Sequence, residues 1–513
     1  MAGRTVGAYM HQPHRTRGAH SNRSTRNLQG LHGTHGAHRI RCTAIAVALL
    51  AMTSAGAAAG DRGHLPALLR FPDATGVAAT YSTLGPMDLG NPFFQVLGTN
   101  GRSCSTCHAP ETGWTVTPAS LRARFAASGG TDPIFRTVDG SVSPNADVST
   151  VAARLVAYNM LLTKGLIRVG IGIPANAEFT LIAVDDPYGY GSAKELSLFR
   201  RPLPSTNLRF LSTVMDDGRE TFVDPTSTNC IMGTTTCFAS LHYDLADQAN
   251  GATTGHAQAT HPPTPEQTDA IVAFEASLYT AQVFDDAAGG LTARRALGGP
   301  VAASAMPFYF GINDAVSGDY VSGAPFDPNV FTLYSAWDEV GRHAPEFGER
   351  FDRSEARAAV ARGETLFDTK PIDITGVGGL NDALGMPVIH GTCGTCHDAP
   401  NAGGHSIPAP LDIGVSDASR RTPDMPLYTL QHNVAPYETV QTTDPGRALI
   451  TGKWADIGKF KGPTPRGLAT HAPYFHNGSA ADLAAVVDFY NQRFAIGFTQ
   501  QEKDDLVAFL RTL

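Results

Sequence analysis

No stretch of this sequence reaches the ~18 consecutive apolar residues of a membrane-spanning helix, so nothing in it reads as a transmembrane segment. Cysteine is sparse, seven in 513 residues, which excludes a miniature scaffold stapled by disulfides and makes each thiol worth placing. Acidic residues are missing altogether from the first 60 positions, which hold seven arginines and six histidines. Elsewhere the basic residues are the minority. With those seven arginines set aside, 32 Lys and Arg stand against 47 Asp and Glu, a formal charge of −15. So acidic a body argues against nucleic acid or an anionic membrane as partner.

The acid-free N-terminus continues into an apolar run, Thr43 to Met52, and then small residues, Ala55 to Ala59. A positive n-region, a short h-region and an A-x-A pattern predict an export leader over 1–59 and a periplasmic mature protein, with no membrane span once the leader is gone. An organellar transit peptide, rich in Arg and Ser and free of acid, is the alternative. Hydrophobic content of 42% with only 17% charged residues suits a core-forming globular protein, long enough for two or three domains. The 53 glycines and 34 prolines predict many loops.

Four of the cysteines form two copies of one pentapeptide, Cys104-Ser-Thr-Cys107-His108 and Cys393-Gly-Thr-Cys396-His397. Cys-x-x-Cys-His is the attachment signature of c-type haem: the thiols add across the vinyl groups and the histidine becomes the proximal iron ligand. Zinc knuckles or a thioredoxin-like pair would not require histidine directly after the second cysteine in both copies. Two covalently bound haems c are therefore expected. Of the other cysteines Cys42 lies in the leader, and Cys230 with Cys237 form an even pair closing a small loop, a disulfide candidate in an oxidising compartment.

The duplication extends beyond the motifs. Thr264 to Leu278 aligns without gaps to Thr499 to Leu513. Each opens on a capping box, Thr264 with Gln267 and Thr499 with Glu502, followed by apolar residues at helical spacing. A second echo pairs Asp216-Asp217-Gly218-Arg219 with His476-Asn477-Gly478-Ser479. These features predict a mainly α protein of two cytochrome c-like haem domains related by internal duplication, with long loops and insertions. The boundaries are 60–285 for the N-terminal haem domain, 286–355 for an irregular insertion rich in aromatics, and 356–513 for the C-terminal haem domain, opened by a helix from Arg357 to Phe367. Strong alternating strand patterns are few, Phe179 to Val184 being the clearest.

Pro463-Thr-Pro-Arg-Gly-Leu-Ala-Thr-His-Ala-Pro-Tyr-Phe-His476-Asn-Gly-Ser479 resembles the second-domain signature of bacterial di-haem cytochrome c peroxidases, a family that includes the di-haem oxidase maturing methylamine dehydrogenase. Leu203 to Arg219 resembles the matching stretch of the first domain, while 120–195 and 286–355 look like additions. The resemblance implies reduction of hydrogen peroxide at the first haem, with electrons relayed through the second from a small cytochrome c, a cupredoxin or an oxidisable substrate. In such enzymes the sixth ligand of the second haem lies 14 residues after the histidine of Tyr-Phe-His, as methionine in the peroxidases and tyrosine in the maturation oxidase. Here that position is Tyr490, beside Val486 and Val487 on a helix opened by Ser479 and Asp482. A phenolate stabilises ferric iron where a thioether favours ferrous iron. Met425 and His476 remain the alternatives.

On the peroxide side, no histidine occurs between His108 and His242, which favours an open first haem. The resemblance places a glutamine at Gln248, but the family's glutamate position holds Gln258, which cannot shuttle a proton. His256, two residues away, carries an imidazole, the side chain suited to proton transfer at physiological pH, and is the candidate acid–base group, unless it caps a carbonyl or ligates iron. The family's inter-haem tryptophan is replaced by Asp216, leaving Trp114, Trp337 or Trp454 as substitutes. Its calcium-binding asparagine falls near Arg201 and a calcium-binding threonine is His471, so a calcium ion, though possible through a backbone carbonyl, is not favoured. A non-catalytic di-haem electron carrier and a related haem oxygenase are the rival functions.

Overall fold

The two closing helices form where their capping boxes put them. In a computed structural model, which describes residues 63–223, 230–234, 236–338 and 351–513, helix Pro265–Ala276 follows N-cap Thr264 and helix Gln500–Leu510 follows N-cap Thr499, each with both arms of the box made. The expected leader, 1–59, lies outside the described residues, as does 339–350 of the irregular insertion. Ile271, Val272 and Phe274 are buried along the first helix, and Leu506, Phe509 and Leu510 along the second. Each such side chain contributes roughly 1.5–3 kcal/mol on burial. The helix expected from Arg357 is longer, Phe351–Thr369, and lies against the second closing helix, joined to it by Arg362–Asp505 at 2.8 Å and Lys370–Glu502 at 2.6 Å.

The expectation of a mainly α fold is corrected. Helix makes up 32% and strand 18%, and the described residues hold thirteen strands in five antiparallel sheets. The four-stranded sheet runs Leu68–Pro72, Gly76–Ser82, Leu278–Asp285, Gly289–Gly290, so the chain leaves the first closing helix straight into a strand, with Thr80 opposite Thr280. Phe179–Asp185, the strand the sequence did show, pairs with Leu427–His432, which in turn pairs with Thr439–Thr442. A segment of the first half thus completes a sheet of the second. The other strands escaped notice because they do not alternate. Leu196–Arg200 is buried at all five positions, a pattern that periodicity cannot separate from a helix segment.

The sequence echo at 216–219 and 476–479 is a shared backbone turn: Gly218 and Gly478 both take left-handed φ, +68° and +63°. A smaller correction concerns helix Leu483–Arg493, which carries Tyr490. Its N-cap is Asp482, whose side chain accepts from the Ala485 amide, rather than Ser479. Cys230 and Cys237 form a disulfide. No helix among the described residues is long and apolar enough to cross a membrane.

Candidate functional site

Each Cys-x-x-Cys-His pentapeptide folds as a single 3-10 turn, Cys104–Thr106 and Cys393–Thr395, held by a hydroxyl two or three residues ahead. Thr106 Oγ1 accepts the Ser103 amide at 3.0 Å and Thr395 Oγ1 accepts the Thr392 amide at 3.0 Å. The histidines then repeat one arrangement. His108 Nδ1 donates to the Trp114 carbonyl at 3.0 Å and His397 Nδ1 to the Gly403 carbonyl at 2.6 Å. A carbonyl can only accept, so Nδ1 carries the proton in both rings and Nε2 keeps its lone pair. Burial lowers both imidazole pKa values, which favours the neutral form an iron ligand needs. The four cysteines are free, and burial pushes their thiols up to about 12, 11, 12 and 12 in chain order. Paired free thiols with an adjacent fixed-tautomer Nε2 fit a covalently attached haem at each turn.

Glycine is required beside both histidine loops. Gly113 has φ +71°, and a Cβ there would come within 2.4 Å of Thr470 Oγ1; Gly403 has φ +69°, and a Cβ would meet Phe331 and Pro465 at 2.6 and 2.7 Å. One strap, Pro465 to Thr470, therefore touches the loop of each histidine.

The surroundings of the two turns differ. At the first, His256 caps the C-terminus of helix Cys237–Gly255 and its Nδ1 lies 2.5 Å from Asp139 Oδ2. Asp139 is buried and also takes Arg102 Nη1 at 2.7 Å, while Arg102 reaches the His256 carbonyl at 3.0 Å. Burial pushes the Asp139 carboxyl up, but the bonds and charges of His256 and Arg102 more than reverse this and hold it below its ordinary value. Asp139 accepts from His256 Nδ1 and so orients the ring. The ring lies near enough to His108 that a positive charge on it would lower the His108 pKa, adding to the effect of burial. Its carbonyl-capping alternative is not what the ring does, since the ring meets a carboxylate.

Arg102, two residues before Cys104, and Asp139 escaped the sequence reading. Arg102 sits beside a recognised motif and could have been found; Asp139 lies in what read as an insertion and carried no signal. Gln248 is eight residues before His256 on the same helix, roughly 12 Å along its axis, and no hydrogen bond joins the two. Gln258 takes φ +54° and receives Asn100 Nδ2 at 3.3 Å.

At the second turn the companion is Tyr490. Burial first, then the charges of Cys396 and Cys393, raise its phenol pKa. Phe489 meets the ring edge-on at 5.2 Å, and Phe475 and Phe494 lie at 6.4 Å, the latter stacked along it. The alternatives lie elsewhere. Met425 is buried with Val142, Met160, Leu166 and Phe199. His476 stacks on Phe460 at 3.9 Å and faces Asp444, one member of a buried network in which Arg200 bonds Asp217 at 2.5 Å and Asp444 at 2.7 Å. Asp216 faces Lys461, and burial raises its carboxyl pKa. Trp114 is fully buried beside the first histidine, with Nε1 donating to Thr80; Trp337 packs on Tyr334 and Trp454 on His432. Arg201 donates to the carbonyls of Lys164 and Val116, and no three His, Cys, Asp or Glu side chains cluster to hold a metal ion among the described residues.

No protein-family model matches the chain. Among curated proteins it is 31% identical over 150 residues to the cytochrome-c peroxidase IdrP1 of Pseudomonas sp. (strain SCT), covering 25% of this chain and 38% of the relative. It is 34% identical over 133 residues to IdrP2 of Denitromonas iodatirespirans, 24% of this chain and 36% of the relative. With the cytochrome c551 peroxidase of Nitrosomonas europaea it shares 33% over 122 residues, 24% and 30%. The chain spans a little over a third of the length of the curated relatives it matches. A solved MauG-like protein associated with microbial copper homeostasis aligns over 83% of this chain and 88% of its own, at 17% identity and a TM-score of 0.34. The resemblance read from Pro463 to Ser479 is thus borne out: the chain is related to bacterial cytochrome-c peroxidases.

Proposed function

We propose that this relative of the bacterial cytochrome-c peroxidases is an exported, periplasmic di-haem peroxidase, reducing hydrogen peroxide at the first turn with electrons passed through the second. The overall reaction takes two electrons and two protons with each hydrogen peroxide and yields two waters. The observation that carries this reading is the contrast between the turns: one set of fixed-tautomer histidines, with a His–Asp–Arg chain beside the first and a phenol beside the second.

Haem, when bound, supplies the redox-active iron. His108 and His397 each present Nε2, and the Trp114 and Gly403 carbonyls hold those rings in the required tautomer. His256 moves the proton from the inner to the outer peroxide oxygen through Nε2, the step that O–O cleavage needs. Asp139 keeps His256 oriented, and Arg102 keeps Asp139 ionised. Gln248 is a second polar group on the same helix. Tyr490 would supply the further ligand of a haem held at the second turn, where a hard anionic donor would favour the oxidised form. Electrons come from a small cytochrome c or cupredoxin, or from an oxidisable substrate.

Stopped-flow spectra with stoichiometric hydrogen peroxide test the proposal. A haem spectral change within milliseconds is expected. A protein inert to peroxide in both its ferric and half-reduced states is an electron carrier instead.

A further inference from the structure

Among the described residues Arg466 is buried as completely as any cation, at 1% exposure, and no carboxylate there forms an ion pair with it. Its Nε and Nη1 have no hydrogen-bond partner, and Nη2 has only the Gly299 carbonyl at 3.4 Å. Other buried arginines are provided for: Arg200 by Asp217 and Asp444, Arg102 by Asp139, Arg201 by two carbonyls. The titratable neighbour felt by Arg466 is Tyr334, whose hydroxyl donates to the Thr512 carbonyl at 2.9 Å. Burial draws the guanidinium pKa down to about 10, still charged at neutral pH. A buried cation without a partner costs several kcal/mol, so such groups are found paired.

The position says with what. Pro465, the preceding residue, packs on Gly403, whose carbonyl fixes His397. Tyr334 belongs to the same apolar cluster that Cys393 packs against. Arg466 therefore stands beside the second Cys-x-x-Cys-His turn. We propose that Arg466 is the cationic half of a binding site for a carboxylate of the haem attached at that turn. Its planar fork suits a bidentate carboxylate. The inference rests on the haem reading of the second turn and is independent of peroxide chemistry. An inorganic anion such as chloride or phosphate offers the same charge, and the test separates the two.

Spectroelectrochemical titrations of the haem-loaded protein from pH 5 to pH 9, in wild type, Arg466→Met and Arg466→Lys, read the consequence, with haem content checked by pyridine haemochrome. Removing a cation disfavours the extra electron, so Arg466→Met should lower the midpoint of the second haem. It should also make that midpoint fall with rising pH, because the unpaired carboxylate then takes up a proton on reduction. Arg466→Lys should recover most of the wild-type value. If Arg466→Met does not fold, a lowered, more pH-dependent second midpoint in Arg466→Lys supports the site and an unchanged one overturns it. Unchanged potentials and pH profiles in a folded Arg466→Met overturn it, as does a shift confined to the first haem. Wild-type midpoints that follow chloride or phosphate concentration would give the site to an inorganic anion instead. One haem per wild-type chain would remove the underlying reading, a result visible before any variant is made.

Discussion

At the first Cys-x-x-Cys-His turn the charged groups felt by Cys107 are Arg102, Asp139, Arg124 and Asp132; at the second, Cys396 and Cys393 feel Asp398 and Asp368, and their charges in turn reach the phenol of Tyr490. The backbone of the two turns is nearly interchangeable, down to the hydroxyl that caps each and the carbonyl that holds each histidine. What differs is supplied from far along the chain: His256 and Asp139 to one, Tyr490 to the other. The shared part is what the internal duplication expected from the sequence would produce. On the proposed function, these residues from outside the pentapeptides would set the distal chemistry and give two like turns unlike tasks.

The largest expected effect comes from deleting one side of the comparison. Cys104→Ala with Cys107→Ala, or Cys393→Ala with Cys396→Ala, should each halve covalent haem in a pyridine haemochrome assay. Only the first pair should abolish the rapid spectral response to peroxide's direct binding. Haem content unchanged in both double variants would end the di-haem reading.

Next, His256→Ala should slow the peroxide reaction by roughly 10²- to 10⁴-fold, the usual worth of a general acid–base group, with both haems retained. If His256 is instead an iron ligand, the same change opens the site and the reaction speeds up. Asp139→Asn loosens both His256 and Arg102, and a loss of about 10–100-fold is expected, with a changed pH profile of the rate.

At the other turn, Tyr490→Phe should raise the midpoint of the second haem and convert it to high spin or to a new ligand set. The first haem should react with small ligands as before. An unchanged spectrum and midpoint would return the position to Met425 or His476.

The smallest functional effect is expected at Glu275, whose charge is felt by Cys104 and whose carboxyl burial pushes up to about 7 from 4.5. A raised carboxyl contributes stability that is fully present below pH 4.5 and lost as pH rises through about 7. Glu275→Gln lacks that loss. It should match wild type near pH 4 and exceed it by about 3 kcal/mol above pH 7 in denaturant unfolding.

How much of this was open to sequence reading depends on whether the signal was local. The pentapeptides, the capping boxes at Thr264 and Thr499 and the Gly218/Gly478 turns are each written within a few residues, and each formed. Tyr490 was reached by counting from His476, and burial with the charges of the second pair of thiols raises its phenol pKa. The strands were not legible because Leu196–Arg200 and Leu278–Asp285 are buried on both faces for most of their length and show no alternation. Asp139 was invisible because it meets His256 across 117 residues. Arg466 stood in plain view within the recognised segment, but its missing partner is a property only of the packed interior.

A titration of the ferric protein with cyanide, counting equivalents bound against haem content, tests the difference between the two sites most directly. An open first site and a second site closed by Tyr490 predict one cyanide for every two haems, rising to two in Tyr490→Phe. Two equivalents in the wild type, or none, would contradict it.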